Sequence, residues 1–138
     1  MDILIEFVGN HLVLASTFMV LLVLFIRNEA ARGGQNVSPQ ELVNLVNREN
    51  AVILDVRDSS EFAEGHIVKS LNIPHASLAQ RMTELNKHKD KPLIVACKMG
   101  QHAGTAGTLL RKSGFSNVSR LTGGISEWRN QNLPVVKK

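Results

Sequence analysis

Cys97 is the only cysteine in the chain, and the residue types around it suit sulfur chemistry. Leu93-Ile94-Val95-Ala96 leads into it as an apolar, partly β-branched run. Lys98-Met99-Gly100-Gln101-His102-Ala103-Gly104 follows and opens a helical pattern. This spacing predicts a thiol where a buried strand hands over to a helix, so that backbone N–H groups of the turn surround the sulfur. Such donors favour negative charge and hold an anion beside it. Lys98 and His102 add one cationic and one protonatable side chain. The implied chemistry is that of a nucleophilic thiolate. A free cysteine also packs like a small hydrophobe, so Cys97 taken alone suits a core role equally well.

The elements that must position this thiol alternate between strands and helices. Ser38-Pro39-Gln40-Glu41 predicts a helix start with Ser38 as N-cap and Glu41 closing a capping box. Leu42, Leu45 and Val46 give that helix one apolar face up to about Arg48. Ala51–Val56 reads as a strand buried on both faces. A second strand is expected near Ser70–Ile73, stopped by Pro74, and a helix over Leu78–Leu85. Pro92–Ala96 is the strand that ends at the thiol, and a helix follows from Ala103 to Ser113. Val118–Leu121 is a further strand, and Ile125–Asn130 a short last helix. The alternation predicts an α/β domain, doubly wound, with a mainly parallel sheet and helices on both faces. Sites in such sheets form at the carboxyl ends of strands, where Cys97 falls.

The amino-terminal stretch is of different material. Leu12 to Ile26 reads LVLASTFMVLLVLFI, without charge, Gly or Pro. Adding Ile3–Val8 beyond Gly9, Asn10 and His11 gives about 24 residues, or about 36 Å of helix. The flank before this run carries Asp2 and Glu6 rather than the basic residues of a signal peptide. A core helix would not be apolar on every face. The expectation is a single-pass transmembrane anchor over residues 1–27, a flexible linker over 28–36 containing Gly33-Gly34, and one domain over 37–138. Arg27 and Arg32 lie behind the span and no Lys or Arg precedes it. The positive-inside rule then puts the N-terminus outside the cell inner membrane and the domain in the cytoplasm.

Composition narrows the classes. One cysteine excludes an intrachain disulfide and a multi-cysteine zinc site, and suits a reducing compartment. The formal charge is +4 and the pI about 9.6, but the basic residues are scattered. The chain has no Tyr and one Trp, so nucleic-acid binding is a poor reading. No grouping of His, Cys and acidic residues has metal-ligand spacing, and no cofactor is expected.

Several stretches together resemble the rhodanese-like domain. Asp55-Val56-Arg57, Glu61-Phe62 and Gly65-His66-Ile67 look like its first signature, D-V-R-x-x-x-E-[FY]-x-x-G-H-I. Asn72-Ile73-Pro74 follows as N-[IV]-P. Cys97-Lys98-Met99-Gly100 matches the C-x-x-G active-site loop, and Leu121-Thr122-Gly123-Gly124 with Trp128 matches the terminal L-x-G-G-x-x-x-W. An apolar anchor before one such domain is similar to the small membrane-attached members in bacteria. The resemblance implies a sulfurtransferase with Cys97 as the catalytic residue. Lys98, Met99, Gly100, Gln101, His102 and Ala103 are implied as the substrate-binding loop. The partners implied are a small sulfur donor such as thiosulfate, a thiol or protein acceptor, and a membrane-protein partner near the anchor. His102 and Ala103 stand where many active members carry Arg or Ser ahead of a Ser or Thr, and the missing hydroxyl removes one hydrogen bond available to the sulfur or the donor.

Other residues are expected to support the fold. Asp55 and Arg57 read as an ion pair at a strand end, His66 as a loop anchor, and Gly123-Gly124 as a turn requirement. Trp128 reads as packing at a core edge, and His75 and His88 as exposed. A phosphatase with the same fold would need Arg at position 103 to clamp phosphate, and an arsenate reductase would need a second cysteine. The rival from another class is a membrane-tethered binding or regulatory module in which Cys97 turns nothing over.

Overall fold

The computed structural model describes residues 1–31 and 34–137 and divides them between two compact units. The amino-terminal unit holds α1 (Asp2–Asn10) and α2 (Leu12–Ala31). Among the described residues no single helix is long and apolar enough to cross a membrane. The two helices pass that test only as a pair, bent by 93°. This corrects the expected continuous helix of about 36 Å. The break falls after Gly9 and Asn10, both weak helix formers. His11 leaves helical geometry there at φ −124° and ψ 45°. Its backbone N–H donates to Phe7 O at 3.0 Å, and its ring Nδ1 sits 3.1 Å from the same carbonyl. No residue of α1 is buried, and along α2 large apolar side chains such as Val13, Phe18 and Phe25 are exposed. The two hydroxyls within the apolar run of α2 are satisfied internally: Ser16 donates to Leu12 O and Thr17 to Val13 O.

The expected linker is largely ordered structure. α2 continues through Ala31, and β1 (Gln35–Val37) adds a strand to the sheet by pairing with Ser119–Leu121. Arg32 and Gly33 lie outside the described residues. Three residues of mixed polarity at a sheet edge have too little alternation to announce a strand.

The second unit continues with α3 (Pro39–Glu49), β2 (Val52–Asp55), α4 (Ser59–Glu64), β3 (Leu71–Asn72) and a 3₁₀ turn at His75–Ser77. α5 (Leu78–Arg81), a 3₁₀ segment at Met82–His88, β4 (Leu93–Ala96), α6 (Ala103–Lys112), β5 (Val118–Leu121) and α7 (Gly124–Asn130) complete it. The five strands run in the order β1-β5-β4-β2-β3 and pair in parallel. Ser38 caps α3: its hydroxyl accepts from Glu41 N–H at 3.2 Å and donates to the Glu41 carboxylate at 3.3 Å. The expected helix over Leu78–Leu85 is one α-turn followed by the 3₁₀ segment.

Side-chain alternation along the central strands divides the core in two. Leu54, Val56, Leu93, Val95 and Cys97 face one way, against Leu78, Leu85, Ala106 and Leu110 from α5, the 3₁₀ segment and α6. Ile53, Ile94 and Ala96 face the other way, against Leu42 of α3 and Ile125 and Trp128 of α7. β4 is buried at every position, as a central parallel strand covered on both faces must be. Trp128 packs in the second cluster, with Nε1–H donating to Pro134 O at 2.9 Å.

Candidate active site

β2 and β4 are in register from Val52↔Leu93 to Asp55↔Ala96. The chain therefore leaves both strands side by side, Val56–Asp58 next to Cys97–Lys98. Val56 N–H donates to Ala96 O at 2.9 Å, and His75 N–H to Val56 O at 3.0 Å. These three segments and α4 enclose a cleft of about 180 Å³ at the carboxyl edge of the sheet.

Cys97 lies at the base of this cleft, 1% exposed. Gly100 folds the loop back over it at φ +91°, a conformation that favours glycine. Its backbone N–H donates to Cys97 Sγ at 2.8 Å. An N–H aimed at sulfur stabilises negative charge there. The loop is held from below by α7. Ile125 N–H donates to Cys97 O at 2.8 Å and Ser126 N–H to Lys98 O at 2.9 Å. Gly124, at φ +62°, brings the helix that close, since a Cβ there would meet Lys98 O at 2.8 Å and fall inside the radius of Cys97 O. The Gly123-Gly124 pair is thus more than a turn requirement: it seats the loop that carries the thiol.

The loop residues divide by position. Lys98, Gln101 and His102 line the cleft. Gly100 contributes its N–H. Met99 is 58% exposed at the loop tip, and Ala103 is buried in the core cluster that also holds Cys97. Neither Met99 nor Ala103 lines the cleft, where the loop reading expected both; Ala103 packs in the core beside Cys97 instead. Ala103, the first residue of α6, lies on its buried face with Ala106 and Leu110, and Met99 at the loop apex faces solvent.

Asp55 and Arg57 form a buried, two-pronged ion pair. Arg57 Nε donates to Asp55 Oδ1 at 3.0 Å and Nη2 to Oδ2 at 2.7 Å, and Nη2 also donates to Gly65 O at 2.7 Å. Asn72 Nδ2 ties the same strand end by donating to Asp55 O and Arg57 O, both at 3.0 Å. His66 anchors the loop that follows α4. Its Nδ1 sits 2.7 Å from Phe62 O, its ring stacks on Phe62 at 3.7 Å, and its backbone bridges to Val136 in both directions.

Val56, Asp58, Glu61 and His75 also line the cleft and were not singled out as site residues in the sequence. Their signal is topological: whatever follows β2 must border the same crevice as whatever follows its neighbour β4. His75 is exposed, as expected, but its ring stacks on His102 with centroids 4.0 Å apart and planes 6° from parallel. His88 is half-buried rather than exposed, and its Nδ1 has no partner among the described residues. No group of three or more His, Cys, Asp or Glu among the described residues could hold a metal ion.

Comparison with known proteins agrees with this geometry. The rhodanese-like domain description matches residues 38–131. The protein YibN of Escherichia coli (strain K12) is 34% identical over 141 residues, covering 99% of each chain. The thiosulfate sulfurtransferase GlpE of Pseudoalteromonas translucida (strain TAC 125) is 32% identical over 94 residues, covering 68% of this chain and 88% of that one. The crystal structure of a rhodanese-related protein from Thermoplasma volcanium superposes with a TM-score of 0.68 at 29% identity, covering 75% of this chain and 99% of the other. With its motifs in order on a parallel sheet and its thiol in the loop after β4, this chain belongs to the rhodanese-like domain family.

Proposed function

We propose that the protein is a sulfurtransferase carrying sulfane sulfur as a Cys97 persulfide. The observation behind this reading is the Gly100 N–H at 2.8 Å from Cys97 Sγ at the base of an open cleft. A thiol that served only to pack the core would need neither. In the first half-reaction the Cys97 thiolate attacks the outer sulfur of a donor such as thiosulfate. The new S–S bond forms as the old one breaks, and sulfite leaves with the electron pair. In the second, an acceptor thiolate attacks the outer sulfur of the persulfide, and Cys97 departs as thiolate. Two steps through a covalent intermediate give ping-pong kinetics.

The domain works at a membrane. α1 and α2 expose apolar side chains along their length, and Arg27 behind the apolar run sets a cytoplasmic orientation by the positive-inside rule. The location is the cell inner membrane, with the amino terminus outside and a membrane-protein partner within reach of the tether.

Intact-mass spectrometry of the full chain in mild detergent tests the chemistry. Thiosulfate or polysulfide should add the mass of one sulfur atom, and Cys97→Ala should abolish the addition. No addition from any sulfane donor would leave the membrane-tethered binding module as the better account. Reporter fusions at the carboxyl terminus test the topology: fluorescence of a green fluorescent protein is expected, and alkaline phosphatase activity would refute the cytoplasmic assignment.

A further inference from the structure

The charges that line the Cys97 cleft select among sulfur partners. Asp58 is the N-cap residue of α4, yet its side chain makes no capping bond. Glu61 lies three residues on, close to the same helix face. Both line the cleft, and neither carboxylate has an ion-pair or hydrogen-bond partner among the described residues. Arg57 also lines the cleft, but its guanidinium is committed to Asp55 and Gly65 O. The cation left to face the cleft is Lys98. His75 and His102 also line the cleft, stacked ring on ring. The nucleophile is therefore approached past two carboxylates and one ammonium. A dianion such as thiosulfate is opposed by that balance, and a molecule bearing an ammonium group is drawn in.

We infer that the partner class this cleft favours is the small amino thiol, carrying a cationic amine a few bonds from its sulfur. The inference rests on the sulfur-transfer reading and names the acceptor for its second half. The amine is placed against Asp58 and Glu61, and a carboxylate on the same molecule would face Lys98. The acceptor thiolate then bonds to the outer sulfur of the Cys97 persulfide. The Sγ–S bond breaks with its electron pair returning to Sγ, and the amino thiol leaves as its own persulfide.

The single cysteine makes a direct test available. The full chain in detergent is labelled at about pH 7.5, where both probes carry their charge. Aminoethyl methanethiosulfonate supplies the cationic probe and sulfonatoethyl methanethiosulfonate the anionic one. Each forms a mixed disulfide with Cys97 and releases methanesulfinate, so the measurement does not depend on persulfide turnover. Each partly exposed carboxylate contributes about two- to fivefold in a charge preference. The cation-to-anion rate ratio should therefore exceed that of a free cysteine derivative by about tenfold. Asp58→Asn with Glu61→Gln should bring it back to within about twofold, at unchanged thermal stability. In turnover, the same pair of substitutions should lower kcat/KM for cysteamine relative to 2-mercaptoethanol and raise it for thiosulfate. An anionic preference in the native chain, a ratio unmoved by the double variant, or no labelling by either probe overturns the inference. Cationic preference without persulfide formation would instead overturn the sulfur-transfer reading.

Discussion

Gly124→Ala should uncouple the thiol loop from the helix that seats it. Gly124 has φ +62°, and placing an L side chain in that region costs about 1–2 kcal/mol. The added Cβ would meet Lys98 O at 2.8 Å and Cys97 O more closely still. Both are backbone atoms at the end of a central strand and cannot swing aside as a flexible side chain would. The first turn of α7 must withdraw instead. That withdrawal breaks Ile125 N–H to Cys97 O and Ser126 N–H to Lys98 O, at about 1 kcal/mol each. The expected loss is about 3–4 kcal/mol, a large share of the stability of a domain this size. Gly100→Ala is the control. Gly100 also has positive φ, but a Cβ there meets nothing nearer than Gly123 N at 3.9 Å, so the conformational cost of about 1–2 kcal/mol stands alone.

Urea unfolding of the full chain in detergent, followed by fluorescence of the single tryptophan, reads this difference. Trp128, on α7 itself, is 4% exposed in the core cluster beneath that helix. Gly124→Ala should lower the stability by about 2 kcal/mol more than Gly100→Ala does. It should also change the rate at which Cys97 is alkylated, because the carbonyls next to the thiol lose their seat. A Gly124→Ala protein within about 1 kcal/mol of the native chain, or equal costs for the two variants, would refute the reasoning.

Two further perturbations follow from the same geometry. Arg57→Ala leaves the fully buried Asp55 carboxylate without its guanidinium, and should destabilise by about 3–5 kcal/mol in thermal or urea unfolding. Arg57→Lys should recover only part of that, since an ammonium cannot make the two-pronged contact. Burial, followed by the charges of Lys87 and Lys91, holds the His88 imidazole below its ordinary range. The folded state therefore takes up that proton at lower pH than the unfolded chain. The contribution is complete above about pH 6.5 and is lost as pH falls from there toward the depressed folded value. Urea midpoints measured across that window should fall with pH in the native chain and flatten in His88→Gln; equal slopes would refute it.

What was legible in the sequence was whatever burial writes locally. β4 declares itself because every residue from Leu93 to Ala96 is apolar and buried. The Asp55–Arg57 pair was readable because two opposite charges at a strand end, two residues apart, have few other ways to be satisfied. β1 was not readable, because an edge strand of three residues takes its stability from pairing with β5 rather than from its own pattern. The bend at His11 is hidden for the opposite reason: a strongly apolar run suggests one helix, and the weak helix formers Gly9 and Asn10 interrupt it. The cleft wall was hidden because Asp58, Glu61 and His75 come near Cys97 through strand order, which no single stretch of sequence encodes.

The layout separates the nucleophile from its selectivity. Backbone groups prepare the sulfur: the Gly100 N–H points at it, and α7 holds the carbonyls on either side of the loop start. Side chains of other segments, chiefly Asp58 and Glu61, set the charge of the approach. A new partner preference is therefore reached by exchanging cleft side chains, with the thiol undisturbed. A change to phosphate chemistry is much further away. The position where a phosphate-clamping Arg would stand is Ala103, which is 1% exposed in the cluster containing Val95, Cys97 and Leu110. A guanidinium there would enter an apolar core without a partner, at a cost of several kcal/mol, before it reached any phosphate. The packing beneath the loop, as much as the residues in it, closes this site to a phosphate clamp at position 103.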